Sequence, residues 1–318
     1  RLPSAIHVPE PKDVGRKPNL GDKVVVEILQ WESRQMPPEG EIVEVLGAPD
    51  AEGVDMLSVL RHYALPLHFP KNVLAEANSI AKSRADNQPS PDEIKGREDC
   101  RNHNVITIDP DDAKDFDDAL SFRKFKNGDI EIGVHIADVS YYIEEDTALD
   151  QSAYERATSV YLPDRVVPML PERISNELCS LRPNEDKLTY SCNFTFDAKG
   201  TIKEKWIGRT VIHSNHRFTY EDVQSIIDTK DGLYDEEILL LHEMAQQMRK
   251  QRMKDGAINF SSQEVRFKLD ETGKPIGIVI KESKESHQLI EEFMLLANRT
   301  IGIARDSNKV GLEKKMAL

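Results

Sequence analysis

Residues 107–119 read Thr107-Ile108-Asp109-Pro110-Asp111-Asp112-Ala113-Lys114-Asp115-Phe116-Asp117-Asp118-Ala119. Six aspartates fall within ten residues, directly after the apolar run that begins at Val105, so we predict a buried strand that ends at Asp109. Carboxylates this close together repel one another, and they either raise each other's pKa or hold a cation. Hard oxygen ligands favour Mg²⁺, Mn²⁺ or Ca²⁺ over zinc. The stretch therefore predicts a divalent-metal site at the end of a strand.

Two other interpretations of the acidic stretch were weighed. An EF-hand loop counted from Asp109 needs glycine at its sixth position and glutamate at its twelfth, where this chain has Lys114 and Leu120. The EF-hand is therefore excluded. A solvated acidic loop stays open, because most charge runs are solvated, although Phe116 interrupts this one.

The chain around this stretch predicts a mixture of strands and helices. Ile130, Ile132, Val134 and Ile136 alternate with polar or small residues, which is typical of a strand with one buried face. Further strands are predicted over residues 188–196 and 204–212, and helices over residues 70–83, from a capping box at Thr219, over 236–254 and over 287–304. Antiparallel strands with segregated helices indicate an α+β fold with a mixed or antiparallel sheet.

The first part of the chain predicts a smaller β unit. Two apolar segments, Val24–Leu29 and Glu41–Leu46, are separated by the turn residues Pro37-Pro38-Glu39-Gly40. So short a segment is too small for an independent barrel, so it is either part of a small OB-like barrel or a β extension of the main domain. We place the domains at residues 1–70 and 71–318.

Composition limits the choice of function. The net charge of −14 speaks mildly against a nucleic-acid partner, although it leaves room for a local basic channel. No apolar run reaches the roughly 18 residues that a membrane span needs. The three cysteines never occur as C-x-x-C, which argues against a disulfide framework or a zinc site and favours a reducing cytoplasm.

The chain resembles the ribonuclease II/ribonuclease R family of exoribonucleases, and the Lys-Asp-Phe-Asp-Asp form of its acidic stretch resembles the bacterial ribonuclease R branch. Beyond residues 107–119, the resemblance lies in Val134-His135-Ile136-Ala137-Asp138-Val139-Ser140, Thr158-Ser159-Val160-Tyr161-Leu162-Pro163, Pro168-Met169-Leu170-Pro171, Leu178-Cys179-Ser180-Leu181 and residues 289–298. Residues 21–27 and 38–47 resemble the family's second cold-shock domain. The resemblance thus implies a partial cold-shock domain followed by the N-terminal part of an RNB-type catalytic domain.

The resemblance also implies an activity. The family's enzymes are hydrolytic and processive, and they shorten single-stranded RNA from its 3′ end to nucleoside 5′-monophosphates with Mg²⁺, for which Mn²⁺ can substitute. Asp109, Asp115, Asp117 and Asp118 match its four catalytic, metal-binding aspartates. We expect Asp109 and Asp118 to bind metal directly and Asp117 to be the most costly to lose. Two carboxylate-held cations can activate water and stabilise a leaving oxygen.

Four further residues match positions that contact RNA in the family. Tyr161 and Phe260 match an aromatic pair that clamps terminal bases, and Tyr220 and Glu291 match contacts to the last nucleotides. Stacking suits an enzyme that must accept any sequence. Each residue also has a plainer interpretation: the aromatic residues as packing residues, and Glu291 as a solvated helix carboxylate.

The resemblance further implies that an arginine-rich motif and a C-terminal RNA-binding domain follow in the family beyond the equivalent of Leu318. We therefore expect residues 1–318 alone to be weakly active or inactive. Two alternatives remain: a non-catalytic RNA-binding or adaptor module, and a Ca²⁺-binding structural protein. The sequence predicts no oligomeric state.

Overall fold

A computed structural model describes residues 5–9, 14–33, 36–82, 84, 87–163, 165–258, 264–270, 275–281 and 283–306. The chain divides into two compact units. One comprises Arg1–Phe69, Tyr161–Val167 and Lys268–Gly277, and the other comprises Pro70–Val160, Pro168–Phe267 and Ile278–Leu318. None of the described helices combines the length and the apolar character that crossing a membrane requires.

The strands and helices are numbered along the chain. The strands are β1 (Lys23–Gln30), β2 (Glu39–Gly47), β3 (Glu98–Asp99), β4 (Asn104–Asp109), β5 (Asp118–Lys124), β6 (Ile130–Ala137), β7 (Val160–Tyr161), β8 (Val166–Val167), β9 (Asp186–Phe196), β10 (Ile202–His213), β11 (His216–Thr219), β12 (Glu264–Leu269) and β13 (Pro275–Lys281). The helices are α1 (Val54–His62), α2 (Lys71–Lys82), α3 (Pro91–Ile94), α4 (Val139–Tyr142), α5 (Ala148–Arg156), the π-helix Arg173–Leu178, α6 (Tyr220–Thr229), α7 (Asp235–Lys254) and α8 (Glu285–Asp306).

The first unit is built on the antiparallel pair β1–β2. This confirms the two β segments predicted from the sequence. Helix α1, which was not predicted, buries Val54 and Leu60. Its Arg61 forms a two-pronged ion pair with Glu44 of β2, with 2.9 Å between Nη2 and Oε1.

The second unit is organised around a large mixed sheet. Within the described residues its strand order is β11-β4-β5-β6-β9-β10-β3. Neighbours are antiparallel except for the parallel pairs β11–β4 and β10–β3. Helices α6, α7 and α8 contribute to one apolar core with the sheet, whose buried members include Ile108, Leu120, Val134, Phe194, Ile226, Leu241 and Phe293. The predicted α+β class is confirmed.

Polar groups inside the sheet are paired with one another. His135 lies fully buried on β6, with Nδ1 2.6 Å from the Ser191 hydroxyl and Nε2 2.8 Å from the Ser121 hydroxyl. Asp138, just beyond β6, forms a buried ion pair with Arg97 at 2.8 Å. Because a buried polar group needs a partner to offset its desolvation, these contacts make both residues structural parts of the sheet.

Helix α6 begins where the sequence places it. The Thr219 hydroxyl accepts a hydrogen bond from the Asp222 amide at 3.0 Å, and the Asp222 carboxylate accepts one from the Thr219 amide at 2.9 Å. This is the predicted capping box, which satisfies amides that a helix start leaves unpaired. Thr219 is also the last residue of β11, so the cap fixes a direct passage from sheet to helix.

Candidate active site

The acidic stretch connects two neighbouring strands at one end of the sheet. Asp109 is the last residue of β4 and Asp118 is the first residue of β5, and these strands pair antiparallel. Their connection, residues 110–117, has no regular secondary structure and carries Asp115 and Asp117. Thr219 pairs with Asp109 in the parallel β11–β4 register. The start of α6 therefore lies at the same end of the sheet as the aspartates.

A short turn from another part of the unit fixes the middle of this connection. The Ser180 hydroxyl donates to the Lys114 carbonyl at 2.9 Å and accepts from the Phe116 amide at 3.0 Å. The Leu181 amide donates to the Phe116 carbonyl at 2.7 Å. Phe116 itself is buried. The conformation around Asp115 is thus held by contacts with residues 180 and 181.

Arg217 on β11 secures the beginning of the connection. Its guanidinium donates to the carbonyls of Pro110 and Asp111, at 2.5 and 2.9 Å, and lies 5.4 Å from the centre of the Phe116 ring. Sequence reasoning missed this residue. Its position two residues before the Thr219 cap, in a strand beside β4, was the available signal.

We expect Arg217→Met to lower the free energy of unfolding by about 1–3 kcal/mol, because two backbone carbonyls lose a charged donor. Urea denaturation monitored by circular dichroism measures this. Lys203→Met is the matched control, since it removes a cation whose ion pair with Asp129 lies at the surface; its free energy of unfolding should stay close to that of the parent chain. Equal losses in the two variants would contradict an anchoring role for Arg217.

The electrostatics of the aspartates are those of crowded, partly buried carboxylates. Burial, followed by the charge of Asp117, raises the pKa of Asp109 to about 6. Burial, followed by the charges of Asp117 and Asp109, raises the pKa of Asp118 to about 7. Burial and the charge of Asp115 raise the pKa of Asp117 as well, although its side chain stays accessible to solvent. The charges of Asp109, Asp115 and Asp117 thus act on neighbouring carboxyl groups of the same stretch.

The donor set fits a hard divalent cation. Asp109 is only 6% exposed, and its buried Oδ2 has no hydrogen-bond partner. A cation would supply that partner and relieve the repulsion that raises the pKa values. Among the described residues, no three His, Cys, Asp or Glu side chains already stand as a ligand cluster.

Tyr220, the first residue of α6, lies with the aspartates. Burial raises the pKa of its phenol to about 12, assisted by the charges of Asp118 and Asp109. Its ring stacks on His287 of α8, with 4.1 Å between centroids and 7° between planes. Sequence reasoning found Tyr220 but missed His287.

The other three residues matched to RNA contacts are placed differently. Glu291 follows His287 by one helical turn, is exposed, and pairs with Arg252 at 3.2 Å and Arg249 at 3.7 Å of α7. Tyr161 lies on β7, is 67% exposed, and belongs to the unit that does not contain the aspartates. Phe260 lies outside the described residues. The predicted roles of all these residues stay predictions.

Comparison with known proteins places this chain in a family. The sequence profile of the RNB domain matches residues 97–310, and that of the cold shock domain matches residues 1–70. The chain therefore belongs to the RNB domain family. It spans less than half the length of the relatives that it matches.

Individual relatives agree with this membership. Ribonuclease R from Thermotoga maritima is 42% identical over 296 residues, an alignment that covers 90% of this chain and 41% of that protein. The structure of Mycoplasma genitalium RNase R in complex with ribose methylated single-stranded RNA has a TM-score of 0.83 at 26% identity, covering 96% of this chain and 48% of that one. Yeast Ssd1, a pseudonuclease, has a TM-score of 0.65 at 21% identity, covering 86% of this chain and 34% of Ssd1. That likeness shows a common fold only.

Proposed function

We propose that the protein that carries this chain is a Mg²⁺-dependent exoribonuclease that shortens single-stranded RNA processively from its 3′ end and releases nucleoside 5′-monophosphates. The observation that carries the proposal is the placement of Asp109, Asp115, Asp117 and Asp118 at one end of the sheet, where burial and neighbouring carboxylate charges raise the pKa values of Asp109, Asp117 and Asp118. Ribonuclease R relatives support the reaction class.

In this mechanism the four aspartates would hold two divalent cations. Bound cations would act as Lewis acids toward the phosphate and lower the pKa of a bound water. The chain's own contribution is positioning: β4 and β5 set Asp109 and Asp118, and the anchored connection sets Asp115 and Asp117. Because its pKa is about 12, the Tyr220 phenol keeps its proton at neutral pH and can donate a hydrogen bond to a phosphate oxygen.

We assign the substrate as single-stranded RNA, which a solved relative, the M. genitalium RNase R, holds in ribose-methylated form. Tyr161 and Phe260 would stack on bases, and Tyr220 and Glu291 would contact the last nucleotides. Because the net charge of the chain is −14, the RNA phosphates would have to bind local groups of cationic side chains rather than a uniformly basic surface. We assign residues 1–70 to RNA binding and residues 71–318 to the start of the catalytic domain.

The proposed compartment is the cytoplasm. Cys100, Cys179 and Cys192 are buried thiols. Burial raises the pKa of Cys100 to about 11 and that of Cys192 to about 12, so these thiols stay protonated and unreactive at neutral pH. Unpaired, unreactive thiols fit a reducing environment.

Metal removal tests the proposed reaction. The natural polypeptide that carries residues 1–318 is mixed with a single-stranded RNA labelled at its 5′ end, with Mg²⁺ or with EDTA. We expect progressive shortening from the 3′ end with Mg²⁺, and intact RNA with EDTA, because the carboxylates need cations to act. If RNA is bound but stays intact with Mg²⁺, the protein is an adaptor module rather than an enzyme. Cleavage that continues in EDTA would contradict the metal-dependent mechanism.

A further inference from the structure

The turn that contains Ser180 contacts the acidic connection at Phe116. Asp115 and Asp117 flank Phe116, and Phe116 is the residue whose amide and carbonyl bond to the turn, at 3.0 and 2.7 Å. Neither aspartate belongs to a helix or strand. The Asp117 carbonyl also accepts a hydrogen bond from the Ala137 amide of β6 at 3.0 Å, so the Phe116 contacts add to that bond at Asp117 and hold the backbone next to Asp115.

The buried ammonium of Lys187 binds the residues just before the turn that contains Ser180. Ser180 lies two residues after the π-helix Arg173–Leu178, whose last carbonyls need partners. The Lys187 ammonium lies 2.7 Å from the Glu177 carbonyl and 3.5 Å from the Leu178 carbonyl, and it also pairs with Glu185 at 2.7 Å. Lys187 thus binds the end of the π-helix directly before Ser180.

The setting of Lys187 suits a positioning role. Its side chain is only 1% exposed, and it belongs to β9, which is paired on both sides in the large sheet. Burying an ammonium is expensive, and an apolar side chain of similar volume usually serves stability at least as well. A charge kept there fixes the positions of the carbonyls that it touches. Contacts therefore run from the sheet through Lys187, the π-helix end and Ser180 to the acidic connection.

We propose that Ser180 and Lys187 are positioning residues of the acidic site, and that they hold Asp115 and Asp117 where a divalent cation is bound. The metal-binding part of this inference rests on the proposed function, whereas the clamping of the connection does not. Partners that orient metal ligands from behind typically change affinity by about 10–100-fold when they are removed.

Ser180→Ala tests the proposal, with Ser191→Ala as the matched control. Both residues are buried serines whose hydroxyls make two strong contacts, but Ser191 bonds to His135 and Thr210 inside the sheet. Mn²⁺ binding to the 318-residue chain is measured by isothermal titration. We expect Ser180→Ala to weaken Mn²⁺ binding by about tenfold or more. Ser191→Ala should leave Mn²⁺ affinity unchanged, even where both variants melt at similarly lower temperatures.

Hydrogen exchange gives a second measurement that is independent of metal. The Phe116 amide loses its acceptor in Ser180→Ala, so its exchange should accelerate by roughly tenfold, together with that of the Leu181 amide. In Ser191→Ala both amides should exchange as in the parent chain. Unchanged exchange of the Phe116 amide in Ser180→Ala would show that Ser180 does not hold the acidic connection in place.

Lys187→Met tests whether Lys187 positions the acidic connection through the Ser180 turn. We expect this variant to weaken Mn²⁺ binding in the same direction, and the double variant with Ser180→Ala to be little weaker than Ser180→Ala alone, because Lys187 acts through Ser180. Should Lys187→Met fail to fold, Ser180→Ala still decides the proposal. Parent-like Mn²⁺ affinity in Ser180→Ala would overturn the positioning role. A parent chain that binds no Mn²⁺ would overturn the proposed function, and hydrogen exchange would then still judge the clamp.

Discussion

Asp117→Asn should reduce RNA cleavage by on the order of a thousandfold while RNA binding is kept. The substitution preserves size and removes one negative charge from a side chain that is open to solvent and that raises the pKa values of both Asp109 and Asp118. A lost charge at that point weakens the hold on cations and leaves distant RNA contacts intact. Single-turnover cleavage and a separate binding titration of the natural polypeptide measure the two effects.

Asp112→Asn is the matched control for that experiment. Asp112 lies in the same connection, is exposed, and is not one of the four aspartates matched to the catalytic site. We expect its variant to cleave RNA within a fewfold of the parent rate. Similar losses in the two variants would mean that total negative charge matters rather than the position of Asp117, and an unimpaired Asp117→Asn protein would remove it from the catalytic group.

The parts of the fold that sequence predicted are those with a local pattern. The alternation in β6 and the Thr219 capping box each involve residues a few positions apart. Periodicity and capping chemistry are visible at that range. The same reasoning located Asp109 at a strand end, because an apolar run stops there.

The unpredicted parts depend on pairings that are distant in sequence. Ser180 contacts Phe116 across 64 positions, and Arg217 contacts Pro110 across 107. No local pattern marks such pairs. Helix α5 was missed because it buries only Leu149 and Ala153, so its apolar stripe is too weak to show a helical period. The π-helix has no sequence signature that distinguishes it from an α-helical turn.

The metal-free chain should lose stability as pH rises from about 4 to about 7. Asp118 and Asp109 have folded-state pKa values of about 7 and about 6, against an ordinary value of 3.8. Between the ordinary value and the raised values, the folded state therefore binds more protons than the unfolded state. Ionising the two carboxyl groups at higher pH then lowers the free energy of unfolding. Because Asp118 is only partly buried, we expect a loss on the order of a few kcal/mol. Urea denaturation in EDTA across this pH range measures it.

Divalent cations should reverse that slope. They bind the ionised carboxylates, so stabilisation by Mg²⁺ should emerge as pH rises through about 6 to 7 and grow with concentration. In Asp118→Asn the group that must ionise is gone, so the metal-free variant should be more stable than the parent at about pH 8 and gain less from Mg²⁺. A parent-like slope in this variant would separate the pH dependence from the acidic site. Tight stabilisation by Ca²⁺, with none by Mg²⁺, would favour a calcium-binding structural protein, since the two ions differ in the geometry and number of oxygen ligands that they require.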